Sequence, residues 1–187
     1  MFRKAAIVVA IAMLAFVTAC SSNSKSASDA SAGGAGATAS AASSSTCPTT
    51  ETKKFAKTLF VTDAALAGGA FKHWIYTPAK EGKFNKGAKG RVGSIVKAVA
   101  AGAFTINRLN AVKTNAQSDP ALCKLTIAPI TKFTSAVQNI VHGGKHGLGS
   151  INTSEVTSAS GLLSQFHSGA ASGGNAFTDN QNANIGS

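Results

Sequence analysis

The most regular stretch of the sequence, residues 92–109, reads VGSIVKAVAAGAFTINRL. Apolar residues recur in it at spacings of three and four, at Val92, Ile95, Val96, Val99, Ala103, Ile106 and Leu109. Residues at these spacings lie on one side of an α-helix, whereas a half-buried strand would alternate every second residue. The stretch therefore predicts an amphipathic helix that begins between Lys86 and Arg91.

Another helix is predicted on the N-terminal side of this stretch. It follows Thr50 and has to end by Thr77, because Pro78 disfavours helical conformation in the residue before it. Its core face is predicted to contain Phe55, Leu59, Leu66 and Trp74. Gly68 and Gly69 interrupt it at a cost of about 1 kcal/mol each relative to alanine, which indicates a bend or the close approach of a neighbouring helix.

A third helix is predicted after the regular stretch. Asp119 is a suitable N-cap, and Pro120 fits the first helical position, where its missing N–H has no consequence. The helix is expected to stop at Gly143 and Gly144. Pro129 is expected to kink it or split it in two.

The last predicted helix begins at Asn152. Glu155 stands three residues later, as in a capping box, and Ile151 and Val156 occupy the positions of a hydrophobic staple. Four amphipathic helices joined by short or moderate loops predict an all-α fold, an antiparallel up-down-up-down four-helix bundle.

Two cysteines, Cys47 and Cys123, fall at the starts of the first and third helices. In an up-down-up-down bundle these starts lie at the same end, so the topology permits a disulfide between them. Two such cysteines usually pair outside the cytoplasm. Two free thiols, or a bridge between molecules, remain the alternatives.

The N-terminus has the organisation of an export signal. Arg3 and Lys4 form a basic start, an apolar run covers residues 5–17, and Thr18 and Ala19 lead to Cys20. The run is shorter than the roughly 20 residues that a permanent membrane-spanning helix needs, so it is typical of a signal-peptide core.

Residues 17–20, with small residues before a cysteine, resemble the lipobox of bacterial lipoproteins. This resemblance implies that the chain is cut before Cys20, whose thiol carries a diacylglycerol and whose amino group is often acylated as well. The mature protein would then sit on the extracytoplasmic face of the cell membrane, held by its acyl chains. The domain that follows resembles small lipoproteins of high-GC Gram-positive bacteria in style, and that likeness implies no activity.

Composition divides the chain into four parts. Residues 1–19 are the predicted signal peptide, and residues 20–46 begin with the acylated Cys20 and continue as a tether of Ser, Ala and Gly with too little apolar surface to fold. Residues 47–168 form the predicted helical domain. Residues 169–187 are again rich in Gly, Ser and Asn, and we expect a disordered tail.

Positive charge is concentrated between the first two helices. The formal net charge of +11 falls to +9 once Arg3 and Lys4 leave with the signal peptide. The basic residues of this region face one acid, Glu81, and they are Lys72, Lys80, Lys83, Lys86, Lys89, Arg91 and Lys97. In the predicted bundle, Lys145 lies at the same end. We therefore regard Lys80, Lys83, Lys86, Lys89 and Lys145 as candidate anion-binding residues.

Two interpretations of this basic region stay open. It binds an anionic component of the envelope, such as lipid headgroups or a phosphate-bearing wall polymer, or it is a solvated loop that keeps the protein soluble. Nucleic acid is disfavoured as a partner, because the protein is exported and Phe84 is the only aromatic residue within the loop. The aromatic segment at residues 71–76 is interpreted as the end of a core helix, with a ligand platform as the alternative.

Motifs for catalysis or for cofactors were not found. The sequence lacks a G-x-S-x-G elbow, a P-loop and an H-E-x-x-H motif. His142 and His146 stand four apart, but Gly143 and Gly144 between them favour a helix end over a metal site. The sequence predicts a protein that is not an enzyme and has no cofactor. It is either an interaction module for an anionic polymer or protein partner, or a structural envelope lipoprotein without a small ligand.

Overall fold

Residues 47–146, 151–183 and 185 are described by the structure, a computed structural model. Within these ranges the chain is all-helical, with four helices and no strand, as the sequence predicts. The first helix comprises α1 (Ala56–Phe71), a π-helical turn (Lys72–Tyr76) and α2 (Thr77–Lys80) in direct succession. The other three are α3 (Arg91–Ala116), α4 (Pro120–His146) and α5 (Thr153–Ser172).

Both predicted N-caps are confirmed. A carboxylate oxygen of Asp119 accepts hydrogen bonds from the backbone N–H groups of Ala121 at 3.0 Å and Leu122 at 2.8 Å. The side chain of Asn152 accepts one from the N–H of Ser154 at 2.9 Å. Each cap satisfies N–H groups that the helix itself leaves without an acceptor, which explains why both helices begin where they do.

The first helix does not end at Thr77 as predicted. Its backbone widens into the π-helical turn, in which the N–H of Thr77 donates to the carbonyl of Lys72, five residues earlier. Pro78 then occupies an early position of α2, where its missing N–H matters least. A π-helical insertion of this kind inside an α-helix frequently marks a functional site.

The predicted stop of α4 at its glycine pair is also wrong. The helix continues through Gly143 and Gly144 to His146, and it stays a single element across Pro129. Gly144 is buried, and a β-carbon added there would lie 2.7 Å from the side chain of Val99 on α3. The glycine therefore allows two helices to approach closely, and the gain in packing offsets its low helix propensity.

The helices pack in chain order, with α1 against α3, α3 against α4, and α4 against α5. Four fully buried phenylalanines fill the centre of the core. Phe60 of α1 meets Phe166 of α5 edge to face at 5.8 Å between ring centroids, and Phe71 meets Phe133 of α4 in the same manner at 5.1 Å. Such pairs stabilise a core beyond the area that they bury.

At the start of α1, the buried residues are displaced by one position from the predicted core face. Phe55 is 74% exposed and Leu59 is 42% exposed. The buried face instead consists mostly of small residues and two phenylalanines: Ala56, Phe60, Ala64, Ala67, Ala70 and Phe71. Because α1 is apolar on several sides, its spacing does not single out one face, and the close packing that alanine permits against α3 selects the buried side.

The C-terminal segment is not the disordered tail that composition predicts from Gly169. Helix α5 continues to Ser172, and residues 173–183, which we call the C-terminal strap, then pack against α1. Phe177 is 9% exposed and contacts the rings of Phe60 and Phe166. The N–H of Asn180 donates to the carbonyl of Ala65 at 2.8 Å.

A buried carboxylate in the C-terminal strap links the first helix to α5. The side chain of Asp179 is 4% exposed and lies 2.5 Å from Nζ of Lys72 and 2.9 Å from Nε2 of His167. It rests on Gly68, and the backbone of the next strap residue rests on Gly69. The glycine pair thus serves a close approach, as predicted, but by the strap and not by a helix.

Candidate functional site at the lysine-rich end

The loop of residues 81–90 is held in a defined conformation. Gly82 and Gly90 adopt left-handed backbone angles, with φ of 68° and 74°, which glycine reaches without strain. Phe84 is 4% exposed and belongs to the core, and its carbonyl accepts a hydrogen bond from Nε of Arg91 at 2.8 Å. The aromatic residue therefore anchors the loop and is not presented to a ligand.

The candidate lysines of this loop point into solvent. Lys80, Lys83, Lys86 and Lys89 are all exposed. Lys83 lies 4.0 Å from Glu81, and both side chains are about half exposed, so this pair contributes little. Among the described residues, no acid pairs with the other three ammonium groups. Their charge is therefore available to an anion.

Lys145, the fifth candidate, lies in the last turn of α4. The preceding residue, Gly144, contacts Val99 in the first half of α3, the half that follows directly on the lysine-rich loop. The backbone of this turn therefore packs against the first half of α3, at the same end as the lysine-rich loop. The Lys145 side chain is outside the described part of the structure.

An open groove of about 310 Å³ lies between the π-helical turn and this loop. Its lining comes from the first helix, the loop and α3: His73, Trp74, Thr77, Pro78, Glu81, Lys83, Ser94 and Lys97. Nζ of Lys97 stands 5.6 Å from the centroid of the Trp74 ring, a cation–π arrangement. Two ammonium groups, hydroxyl groups, an imidazole and the carboxylate of Glu81 thus surround a partly apolar floor, so the groove offers donors to an anion beside one negative charge.

The aromatic segment at the π-helical turn serves two roles. Phe71 and Ile75 are fully buried, in agreement with the interpretation of this segment as the end of a core helix. His73 is exposed, and Trp74 is partly buried where it lines the groove. The Nε1 atom of Trp74 is buried without a hydrogen-bond partner among the described residues. Neighbouring residues of the π-helical turn therefore lie on different sides, with Ile75 in the core and His73 and Trp74 at the groove.

Both histidines of the spaced pair lie within α4, where the sequence predicts a helix end between them. His142 is exposed. No group of three or more potential metal ligands occurs among the residues that the structure describes.

The sequence makes two predictions about cysteines, the disulfide and the acylation of Cys20, and the described structure bears on the first. Cys47 and Cys123 form a disulfide, with Cα atoms 5.6 Å apart. Cys20 and the lipobox lie outside the described residues. In the described portion, no helix has the length and apolar character needed to cross a bilayer.

Comparison of the chain with protein-family models, with curated proteins and with solved structures gave no match.

Several residues of the groove are not among the candidate anion-binding residues that the sequence predicts, although Lys97 was counted in its basic region. Ser94 and Lys97 come from α3, and Thr77 comes from the first helix, beyond its predicted core face. Their spacing in the sequence follows no binding motif. Only the packing of α3 against the first helix places them together.

Proposed function

We propose that this chain is a lipid-anchored, extracytoplasmic lipoprotein that binds an anionic polymer of the cell envelope through its lysine-rich end. The observation that carries the binding proposal is the set of exposed lysines on a loop anchored by the buried Phe84. The anchor is argued from the basic start, the apolar run and the lipobox at Cys20. The disulfide supports export, because such bonds persist in oxidising compartments.

We also infer that the four helices run up-down-up-down. The contacts between α1 and α3 support this order, since Asp63 pairs with Arg108 whereas Trp74, later in the first helix, meets Lys97, earlier in α3. In such a bundle the tether enters at Cys47, at the end opposite the lysine-rich loop. The loop would then face away from the anchoring membrane.

Replacing Cys20 with alanine is expected to abolish lipid modification. The thiol is the acceptor of the diacylglycerol in lipoproteins that share this motif, and two acyl chains make the difference between stable and marginal anchoring. When the cell extract is partitioned with detergent, the parent should enter the detergent phase. The variant should enter the aqueous phase, or it should accumulate as an uncleaved precursor. Unchanged partitioning of the variant would contradict the anchor.

Replacing Lys86 and Lys89 together with glutamine is expected to weaken binding to a linear polyphosphate between about 5-fold and 30-fold at low salt, because each lysine near an anionic surface contributes about 1 kcal/mol. The measurement is a titration of the mature chain carrying Cys20→Ala. Added salt should weaken the parent in the same way.

The matched control replaces Lys113 and Lys132 with glutamine, which removes the same charge far from the loop. This variant should bind polyphosphate nearly as the parent does. If both double variants lost the same affinity for polyphosphate, the effect would come from net charge and not from the loop. No binding by the parent at low salt would favour the alternative, a structural lipoprotein without a ligand.

A further inference from the structure

A second exposed surface lies at the other end of the first helix. Phe55 is 74% exposed and Leu59 is 42% exposed. The N–H of Leu59 donates to the carbonyl of Phe55 at 3.0 Å, so the two residues lie one turn apart at the start of α1. Scattered exposed apolar residues are common, but an almost free phenylalanine beside a second apolar residue forms a small apolar surface.

The backbone conformation of Phe55 is unfavourable for a residue with a side chain, and folding of the domain does not require a phenylalanine there. It is the one non-glycine residue of the described chain with a positive φ, at 62°. A β-carbon disfavours this conformation, which glycine would adopt freely. Because the ring gains little burial within the domain, the Phe55 side chain contributes little to the stability of the fold. A partner outside the domain would give the ring a role.

Charged residues of both signs adjoin this apolar surface, since Glu51 and Lys54 line one pocket with Phe55, and the Glu51 carboxylate lies 3.9 Å from Nζ of Lys57. Lys54 is exposed and has no acidic partner among the described residues, whereas Lys57 pairs with Asp119 at 3.3 Å. Lys124 and Leu125, both exposed, follow Cys123 at the start of α4. Apolar side chains flanked by free ammonium groups are complementary to the interface of an anionic bilayer, which offers acyl chains below phosphate groups.

The first described residue, Cys47, lies at the end of the domain where α4 begins. The disulfide of Cys47 ties the segment before Phe55 to α4, so the tether of residues 21–46 reaches the domain here. For an unfolded tether of the length and composition that the sequence predicts, the expected r.m.s. span is about 25 to 30 Å. If Cys20 is acylated, as the proposed function holds, this end of the domain stays within that distance of the membrane and meets it at high effective concentration.

We propose that Lys54, Phe55 and Leu59, together with Lys124 and Leu125, dock on the anionic leaflet of the anchoring membrane, with the Phe55 ring entering the interface. Docking at this end turns the lysine-rich loop away from the membrane. The orientation of the domain is then set by its own surface and not by the tether alone.

The test uses vesicles of phosphatidylglycerol and phosphatidylcholine and the mature chain with Cys20→Ala, so that no acyl anchor contributes. Trp74 is the only tryptophan, and Trp74→Phe therefore gives a background in which Phe55→Trp is the sole reporter. Its fluorescence should shift to shorter wavelength and become protected from acrylamide when vesicles are added. In the parent, Phe55→Ala should lower the partition coefficient about tenfold, and Lys54→Gln should lower it less.

Two further variants separate docking from folding. Phe55→Gly removes the backbone strain together with the ring, so it should raise the urea midpoint of unfolding while membrane binding falls. Val96→Ala, at an exposed apolar residue of α3 near the opposite end, should leave the partition coefficient unchanged.

The proposal is overturned if the reporter at position 55 does not respond to vesicles, or if Phe55→Gly binds them as the parent does. It is also overturned if Phe55→Ala alters self-association in sedimentation and not vesicle binding, which would indicate a second copy as the occupant. The reporter at position 55 and the loss on Phe55→Ala depend on neither acylation nor the lysine-rich loop, so their outcome is distinguishable from those of the Cys20 and polyphosphate experiments.

Discussion

Replacing Cys47 and Cys123 together with alanine is expected to lower the free energy of unfolding by about 4 kcal/mol. The bond closes a loop across a sequence separation of 76 residues, and it removes conformations from the unfolded chain more than it adds contacts to the folded one. Domains of this size are stable by about 5 to 15 kcal/mol, so the loss is a large part of the total.

The measurement is urea unfolding of the mature chain, followed by circular dichroism, with the parent examined both oxidised and reduced. The doubly substituted chain should resemble the reduced parent in its midpoint, because both lack the cross-link. Identical midpoints for the oxidised and reduced parent would contradict the expected contribution. Substituting both cysteines avoids the free thiol that a single change would leave.

Gly69→Ala is expected to destabilise the domain by about 2 to 3 kcal/mol, although alanine is the better helix former by about 1 kcal/mol. A β-carbon at this position would lie 1.7 Å from the carbonyl oxygen of Asn180, which belongs to backbone and cannot turn aside. The C-terminal strap has to lift from α1. It would lose the hydrogen bond to Ala65 and much of the burial of Phe177.

Gly161→Ala is the matched control for this change. Gly161 also lies inside a helix, and a β-carbon there would meet nothing within 4 Å. The control should stabilise the domain by up to about 1 kcal/mol, so the two glycine substitutions should shift the urea midpoint in opposite directions. A stabilising effect of Gly69→Ala would show that the strap is not held against α1.

The lysine-rich end illustrates which part of a site can be predicted from sequence. The exposed lysines could be named because charged residues in a loop rich in glycine almost always face water. The groove beside them could not, because Ser94 and Lys97 join Trp74 only when α3 packs on the first helix. Long-range packing of this kind leaves no local spacing to detect.

The sequence by itself determined those features that depend on neighbouring residues. The caps at Asp119 and Asn152 follow from side chains that reach N–H groups two or three positions away, and they begin the helices where predicted. The four helices follow from apolar spacing. The disulfide joins the two cysteines that follow Cys20 in the sequence, and it is the pairing that the sequence predicts.

The tertiary structure alone decided which surfaces those helices bury. It turned Phe60 inward and left Phe55 outside, because the alanine-rich side of α1 fits most closely against α3. It also ordered a C-terminal strap whose composition predicts disorder. With few apolar residues of its own, the strap gains its stability from a surface made elsewhere, where Gly68 and Gly69 admit its backbone and Lys72 and His167 hold Asp179.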